Sequence, residues 1–295
     1  MEVLIISRFD WAYSGGHIAA ALRYVGIDAE CYTTCDCNKF KYPHKRPDGK
    51  TVDRALETAR KLIFKGDEKI PRSILSRRQP DVHLVEGTYF RRYSRACPKT
   101  ACGEEPLSTY AAEIMAGTKL AAVSPDLTIG VNLPITVMQH GYPEQPYTWS
   151  YPYNTLPLHI PSDPRKKGTL KLQTQNRIEV KHNIPWQESV ASKRSAPLYV
   201  DQVAIGWYGY AGIEAAAFGV PVAFYLEPQL KKHFKSIECP YLELDITGAG
   251  VDKIMSRMSG SSTMAIALSR KTYDWTRDFH GYKTVGEKWA TYLQL

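Results

Sequence analysis

The segment from Ala196 to Leu226 constrains the fold of this 295-residue chain more than any other. A short apolar run, Pro197 to Val200, precedes a glycine-rich turn and a stretch of small and apolar residues with helical spacing. A second apolar run extends from Val222 to Leu226. Short apolar runs of this kind are typical of strands buried on both faces of a parallel sheet. The segment therefore predicts a strand–helix–strand unit with a right-handed crossover.

The turn inside this unit predicts a binding site for a phosphate. Asp201 follows the first strand, and Gly209 and Tyr210 stand where the helix is expected to begin. The first turn of a helix presents unpaired backbone N–H groups and a positive dipole end, which favour anions. Glu214 lies little more than one turn into the helix, where its carboxylate can reach hydroxyls beside the phosphate, such as those of a ribose. The alternative is a purely structural unit in which Glu214 faces solvent.

The same residues resemble the donor-binding signature of GT-B glycosyltransferases. The matching positions are Asp201-Gln202, Gly206, Tyr208-Gly209, Glu214-Ala215, Ala217, Gly219 and Pro221-Val222. The resemblance implies an α/β fold of two Rossmann-like domains whose parallel sheets face an interdomain cleft. It also implies that Glu214 binds the ribose of a nucleotide sugar, UDP-linked in the first instance, and that the helix start meets the diphosphate. Gly206 stands where many retaining members have a second glutamate, so retention or inversion is left open.

Two loops are similar to other donor contacts of the GT-B family. Gly15 and Gly16 follow the predicted first strand, Val3 to Ser7, and resemble the family's first glycine-rich loop. The basic loop that ends at Lys167 resembles the loop that supplies cations to the diphosphate, with Arg165 as a second candidate. The alternative for this basic loop is a solvated surface.

Candidates that position or deprotonate the acceptor hydroxyl follow first-domain strands, because open α/β sheets bind their ligands at strand carboxyl ends. They are Asp10, His17, Glu86 and His140. His140 resembles the histidine beside the donor sugar in retaining members and is the first catalytic candidate. Asp10 is the candidate base if the reaction inverts, and Glu86 is a candidate acceptor contact. Each of them could equally be a structural polar group.

Positive charge is concentrated in one stretch of the chain and predicts a polyanionic acceptor. Lys39 to Lys99 contains 17 of the 38 Lys/Arg residues and 7 of the 30 Asp/Glu residues, so the remainder is close to neutral. Such a stretch favours nucleic acid, an anionic membrane surface or an anionic glycan. Arg91, Arg92 and Arg95 alternate with aromatic residues, as in proteins that contact phosphates and stack on bases.

DNA is the favoured acceptor, with a hydroxymethylated base glycosylated as in phage enzymes. One alternative is an enzyme that acts on an anionic lipid or surface glycan while bound peripherally to a membrane. Another is a non-catalytic protein that binds a nucleotide sugar or DNA with the same fold. A solvated lysine-rich surface would account for the charge without any partner.

The length suits two domains. The predicted division is an acceptor domain over residues 1–153, a donor domain over 154–272 and a C-terminal helix, 273–295, that crosses back to the first domain. Within the first domain, the stretch from Asp53 to Lys65 is predicted to be a helix.

The cysteines and the apolar runs bear on metal binding and on cellular location. The pair Cys35 and Cys37 could form a zinc site with Cys97 and Cys102 if their loops meet, and otherwise the thiols are free. The resemblance implies no metal cofactor. No apolar run reaches the length of about 18 residues needed to span a bilayer. We therefore expect a cytoplasmic protein, in the host cytoplasm if it is encoded by a phage.

Overall fold

The computed structural model describes residues 1–8, 10–35, 41–43, 45–66, 72–86, 112–153 and 155–295, with only the backbone of Trp11 and Arg72. The chain divides into two compact units. Unit 1 contains Met1–Asn38, Pro43–Gly141 and Tyr282–Leu295, and unit 2 contains Lys39–Tyr42 and Tyr142–Gly281. The assignment of acceptor and donor domains to residues 1–153, 154–272 and 273–295 stays a prediction.

Unit 1 is built on a six-stranded parallel sheet with the order β2-β1-β3-β4-β5-β6. The strands are β1 (Val3–Ser7), β2 (Ala29–Thr33), β3 (Lys61–Lys65), β4 (Val82–Val85), β5 (Lys119–Ala122) and β6 (Ile135–Val137). The helices are α1 (Ser14–Tyr24), α2 (Gly49–Thr58) and α3 (Arg72–Leu75), with single 3-10 turns at Trp11–Tyr13 and Pro125–Thr128. Residues 112–115 are also helical.

The strands of unit 1 are buried on both faces, as their apolar runs predict. Val3 and Ile5 of β1 pack in the cluster that includes α1, whereas Leu4 and Ile6 point to the opposite face and pack beside α2. All five residues of β1 are buried. This alternation follows from the two-residue period of a strand, so one short segment contributes to two cores.

The helix predicted from Asp53 to Lys65 is wrong in its second half. The helix α2 begins at Gly49, capped by the side chain of Asp48, and ends at Thr58. Ala59 has extended backbone angles, and Lys61–Lys65 then forms β3, which pairs with both β1 and β4. The apolar triplet in the sequence KLIFK therefore belongs to a central strand of the sheet.

Unit 2 contains a five-stranded parallel sheet with the order β11-β10-β9-β7-β8. Its strands are β7 (Leu158–His159), β8 (Glu179–Val180), β9 (Tyr199–Val200), β10 (Val222–Tyr225) and β11 (Leu242–Leu244). The helices are α4 (Pro164–Lys167), α5 (Thr169–Gln175), α6 (Trp186–Arg194), α7 (Tyr210–Ala216), α8 (Lys231–Ser236), α9 (Val251–Gly260) and α10 (Ser262–His280), with a 3-10 turn at Pro228–Leu230. The predicted strand–helix–strand unit is confirmed as β9, α7 and β10, with β9 and β10 paired in parallel.

The last helix, α11 (Tyr282–Leu293), belongs to unit 1 and packs against α1. Trp289 is fully buried in the core that also contains Ile18 and Leu22 of α1. A side chain at Gly286 would overlap with the backbone carbonyl oxygen of Ala21. The two helices can therefore approach so closely only because residue 286 is a glycine.

Gly286→Ala is expected to weaken the packing of α11 on α1 and to lower the free energy of unfolding of unit 1 by about 1–3 kcal/mol, the typical cost of overpacking. Hydrogen exchange of the α1 and α11 amides is the measurement, because it reports on one unit at a time. Gly49→Ala is the control, since no atom lies within 4 Å of the added Cβ. Unchanged protection in Gly286→Ala would contradict the close packing.

Within the described residues, no helix is both long and apolar enough to cross a membrane.

Candidate functional site

Each sheet has one place where the strand order reverses, and open α/β sheets bind ligands there, at the carboxyl ends of the strands. In unit 1 this place lies between β1 and β3, and in unit 2 it lies between β7 and β9. The polar residues described below lie at the ends of these four strands or in the segments that follow them and the neighbouring strands β4 and β8. The two places are therefore the candidate sites of the two units.

In unit 2, Asp201 ties the start of α7 to a lysine. Its carboxylate is buried, accepts a hydrogen bond from the backbone N–H of Gly209 and lies 3.1 Å from Nζ of Lys167. A side chain at Gly209 would place its Cβ 2.9 Å from the same Nζ atom. The glycine therefore lets the ammonium group approach the first turn of α7.

Lys167 ends the short helix α4, and its position depends on local capping. Asp163 accepts hydrogen bonds from the backbone N–H groups of Arg165 and Lys166, and Gly168 takes a left-handed conformation with φ 75°. A Cβ at Gly168 would lie 2.7 Å from a methyl carbon of Val203. This turn directs Lys167 towards Asp201, whereas the side chain of Arg165 is exposed.

Glu214 lies on α7 and is held by two donors from α6. Its Oε1 accepts a hydrogen bond of 2.8 Å from the indole N–H of Trp186, and its Oε2 forms an ion pair with Nζ of Lys193. Both the glutamate and the lysine are buried. Each carboxylate oxygen can accept more than one hydrogen bond, so Glu214 keeps acceptor capacity for a ligand hydroxyl.

His159 ends β7 and is a buried, neutral side chain. Its Nδ1 lies 2.7 Å from the carbonyl oxygen of Val200, which can only accept, so Nδ1 carries the proton. Its Nε2, at 2.9 Å, accepts a hydrogen bond from the Thr169 hydroxyl at the start of α5. Burial lowers the pKa of His159 to about 4. The histidine therefore links the strand to the helix without adding charge.

Unit 2 is expected to lose stability as the pH falls from about 6.5 to about 4, because the unfolded chain takes up a proton that buried His159 does not. The change in pKa from 6.5 to about 4 corresponds to about 3 kcal/mol for this one group. The free energy of unfolding measured by denaturant titration across this pH range should show that slope, and His159→Asn should flatten it. His182→Asn, at an exposed histidine, is the control. A slope identical in wild type and His159→Asn would contradict this assignment.

In unit 1, Asp10 caps the start of α1. Its Oδ1 accepts a hydrogen bond of 2.7 Å from the backbone N–H of Gly15, and its Oδ2 accepts one of 3.0 Å from Gly16. Nζ of Lys65 lies 2.9 Å from Oδ1. Burial alone would raise the pKa of Asp10, but Lys65 and the two N–H groups lower it below its usual range. These two amides are therefore already bonded to a carboxylate and are not available to a phosphate in this arrangement.

Lys65 joins Asp10 to a second carboxylate. The lysine ends β3, its side chain is fully buried, and its Nζ forms an ion pair with Glu86, which follows β4. Oε2 of Glu86 accepts a hydrogen bond of 3.0 Å from the hydroxyl of Ser14. Burial raises the pKa of Glu86, although Lys65 opposes this effect. We call Asp10, Ser14, Lys65 and Glu86 the unit 1 cluster.

The comparisons with known proteins identify the fold. No protein-family model matches the sequence, and no curated protein does.

Solved structures match along almost the whole chain. WaaG, a glycosyltransferase involved in lipopolysaccharide biosynthesis, is 15% identical with a TM-score of 0.58 over 99% of both chains. Sucrose-phosphate synthase from Thermosynechococcus elongatus is 10% identical with a TM-score of 0.64 over 100% of this chain and 98% of that one. A glycosyltransferase from Rickettsia africae ESF-5 is 11% identical with a TM-score of 0.65 over 99% and 97%. This chain has the GT-B fold.

The predicted GT-B architecture, with two Rossmann-like units and parallel sheets, is thereby confirmed. Within unit 2, the structure brings Lys167, Asp201 and Gly209 together, and it surrounds Glu214 with side chains of α6. Tyr210, the first residue of α7, is buried and packs its ring 5.8 Å from that of Tyr142. The roles of these residues in donor binding stay predictions.

Within unit 1 of this GT-B fold, Asp10, Gly15, Gly16 and Glu86 lie together, whereas His140 follows β6 at the edge of the sheet and is half-buried. His17 is buried on α1, with its Nδ1 2.5 Å from the hydroxyl of Tyr282. Burial lowers the pKa of His17 to about 4.

Several predicted residues lie outside the described part of the chain. They are Arg91, Arg92 and Arg95 of the predicted acceptor surface and Cys37, Cys97 and Cys102 of the possible zinc site. Among the residues that are described, no group of three or more His, Cys, Asp or Glu side chains is arranged to hold a metal ion.

Sequence reasoning did not identify Lys65, Trp186 or Lys193. The sequence pattern predicts a helix for Lys65, which instead ends β3, and it indicates no role for Trp186 or Lys193. The short apolar run before Lys65 indicates a strand, because a buried strand often ends at a charged residue. For Lys193 the only indication was a lysine in the last turn of a short helix, a position that is usually solvated.

Proposed function

We propose that this chain is a glycosyltransferase that moves a sugar from a nucleotide-sugar donor to an acceptor hydroxyl. The acceptor oxygen would bond to the anomeric carbon while the bond from that carbon to the diphosphate breaks. The nucleoside diphosphate would leave with the electron pair, and the acceptor hydroxyl would lose its proton. Support comes from the GT-B fold, since WaaG and the protein from Rickettsia africae are both glycosyltransferases.

The observation that carries the proposal is the arrangement around α7. A lysine approaches the first turn of this helix, and a buried glutamate lies on the same helix five residues after Gly209. A diphosphate beside Lys167 would be stabilised as negative charge develops on it during bond cleavage. Ribose hydroxyls would then donate to the remaining acceptor positions of Glu214. Arg165 would add a second, exposed cation, and Asp201 would hold Lys167 in place.

Catalytic assignments in unit 1 are part of the same proposal. His140 is proposed to contact the donor sugar, and Asp10 to act through its hold on the start of α1, because its carboxylate is fully engaged there. Gly15 and Gly16 would then present a carboxylate-capped helix start, rather than free amides, to the substrate. No metal ion is proposed, so chelation with EDTA is expected to leave turnover unchanged.

Calorimetric titration with a panel of nucleotide sugars tests donor binding. One nucleotide class, UDP being the first choice, is expected to bind to wild-type protein, and the free nucleoside diphosphate should bind as well because it carries both contacted groups. Failure of all nucleotide sugars and nucleoside diphosphates to bind would contradict the donor assignment.

For the acceptor, we propose a polyanion, with a hydroxymethylated base in DNA as the first choice. The basic stretch lies in the predicted acceptor domain, and Arg46, Lys50 and Arg54 of its described part are exposed at the start of α2 and just before it. Binding to plain DNA, hydroxymethylated DNA and anionic vesicles should be compared, and it should weaken as salt is raised. Binding to vesicles but not to DNA would favour an anionic lipid or glycan as the acceptor. This alternative is considered because WaaG is involved in lipopolysaccharide biosynthesis. Retained nucleotide binding without any transfer would indicate a non-catalytic binding protein.

A further inference from the structure

One carboxylate beside the turn between β9 and α7 has few partners. The chain from the end of β9 to just past β10 contains three acidic residues, Asp201, Glu214 and Glu227. Both oxygens of Asp201 and both oxygens of Glu214 are bonded to donors. Glu227 is half-buried, and its Oε2 accepts one long hydrogen bond, of 3.4 Å, from the hydroxyl of Tyr225. Within the described part of the chain, no donor bonds to its Oε1. Glu227 can therefore accept hydrogen bonds from a ligand.

The backbone of Glu227 is tied to the same turn. Its N–H donates a hydrogen bond of 2.9 Å to the carbonyl oxygen of Gly206. The buried carboxamide of Gln202 donates bonds of 2.9 and 3.1 Å to the carbonyl oxygens of Trp207 and Tyr225. Because these three bonds join the turn to the end of β10, Glu227 has a fixed place beside the turn.

Glu227 also lies near the proposed position of the diphosphate at Gly209. Gly206 and Gly209 are three residues apart in the chain, so their Cα atoms are separated by at most about 11 Å. The N–H of Val203, in the same turn, donates a bond of 3.0 Å to the carbonyl oxygen of Lys167. The turn is thus bonded to Lys167 at one end and to Glu227 at the other. A sugar attached to a diphosphate at Lys167 and Gly209 would be within reach of the Glu227 carboxylate.

We propose that Glu227 accepts hydrogen bonds from hydroxyl groups of the donor sugar and thereby helps to select which sugar is transferred. This inference rests on the proposed nucleotide-sugar binding, and it adds a contact to the sugar itself. Each oxygen of an ionised carboxylate can accept two hydrogen bonds, and hydrogen bonds to an ionised acceptor are about twice as strong as neutral ones. Two neighbouring hydroxyls of one sugar ring can therefore bind to Oε1 together.

The charge of Glu227 also specifies the chemical class of the sugar. No lysine or arginine among the described residues forms an ion pair with this carboxylate, so its negative charge is not neutralised by a neighbour. A neutral sugar with unmodified hydroxyls suits such a group. A sugar acid would bring a second carboxylate close to the first, and like charges at short distance repel. Because repulsion of the wrong ligand adds to attraction of the right one, we expect a neutral hexose or pentose rather than a sugar acid.

The experiment compares UDP-glucose, UDP-glucuronic acid and UDP by calorimetric titration. The two nucleotide sugars differ only in whether the sugar carries a hydroxymethyl group or a carboxylate. Wild-type protein is expected to bind UDP-glucose more tightly than UDP-glucuronic acid. In Glu227→Gln, the affinity for UDP-glucose should fall roughly 10- to 100-fold, and the preference over the sugar acid should narrow. The affinity for UDP should stay unchanged or rise, because the variant loses a negative charge near the diphosphate.

The contrast between UDP-glucose and UDP separates a sugar contact from a structural role, since a variant that distorts the turn would weaken the binding of both ligands. Hydrogen exchange of the α7 and β10 amides checks that the turn keeps its structure. Glu243→Gln is the matched control, because Glu243 is an exposed glutamate on β11 and forms a surface ion pair with Lys231. This variant should bind all three ligands as wild type does.

Three results would overturn this inference and leave the donor site intact. They are an unchanged affinity for UDP-glucose in Glu227→Gln, an equal loss of affinity for UDP, and tighter binding of UDP-glucuronic acid than of UDP-glucose by wild-type protein. If wild-type protein binds no uridine ligand, the same comparison is made with GDP-mannose, GDP-mannuronic acid and GDP. Absence of binding to all of these ligands would overturn the proposed function, and this inference with it.

Discussion

Lys193→Met is expected to destabilise unit 2 by about 3–5 kcal/mol, the cost of removing one partner of a buried ion pair. The side chains of Lys193 and Glu214 are 2% and 4% exposed. Without the ammonium group, the carboxylate of Glu214 would keep its bond from Trp186 but would stand as an uncompensated charge in the interior. Hydrogen exchange of the α6 and α7 amides measures the loss of stability directly, because Lys193 lies on α6 and Glu214 lies on α7.

The double variant Lys193→Met/Glu214→Gln separates the charge from the packing. Its carboxamide is neutral, so most of the lost protection in α6 and α7 should return. Lys181→Met is the matched control, since the Lys181 side chain is 36% exposed and pairs with an exposed glutamate, and exposed pairs contribute about 0–1 kcal/mol. Equal effects of Lys193→Met and Lys181→Met would contradict the buried ion pair.

Glu214→Gln is expected to weaken donor binding at least tenfold, because hydrogen bonds to a charged group contribute about 1.5–3 kcal/mol. The substitution conserves volume and leaves an oxygen that can accept from Trp186 or Lys193, but it also removes the charge that compensates the buried Lys193. It replaces the carboxylate, which the ribose hydroxyls are proposed to contact. Calorimetric titration of the bound nucleotide sugar measures the change in affinity.

The matched control is Glu188→Gln, which changes an exposed glutamate in the first turn of α6. Donor affinity should be unchanged in that variant. If Glu214→Gln binds the donor as tightly as wild type, Glu214 is a structural partner of Lys193 and not a ribose contact. Loss of hydrogen-exchange protection in α7 together with loss of binding would instead indicate a folding defect.

The strand–helix–strand unit of β9, α7 and β10 was predictable from the sequence because its signals are local. The apolar runs that became β9 and β10 are short and bounded by turn residues, and Gly209 marks the helix start between them. A glycine is needed at position 209 because the ammonium group of Lys167 lies so near that a Cβ would crowd it. Asp201 was also identified, because it directly follows a strand end.

The partners of Glu214 were not predictable, because they depend on how two helices pack. Trp186 and Lys193 lie on α6, 28 and 21 residues before Glu214. A lysine near a helix end and a tryptophan at its start both have ordinary explanations in isolation. Only the packing of α6 on α7 turns them into the two donors of a buried carboxylate.

The unit 1 cluster was half predicted for a related reason. Asp10 and Glu86 follow apolar runs that are typical of strands, so the sequence indicates both. It does not indicate Lys65, because the spacing of residues from Asp53 to Lys65 predicts one helix. The extended backbone at Ala59 divides it into α2 and β3. Lys61–Lys65 is a strand because it pairs with β1 and β4. The local propensity of the residues does not reveal such long-range contacts.

The most direct test of the central claim is nucleotide release from UDP- and GDP-sugars by the wild-type protein. Each donor should be offered with no acceptor, plain DNA, hydroxymethylated DNA or anionic vesicles. We predict that one donor class is cleaved, that one acceptor accelerates the release, and that Glu214→Gln lowers kcat/KM for the donor at least tenfold. No release from any donor by folded protein, or release that Glu214→Gln leaves unchanged, would contradict the account.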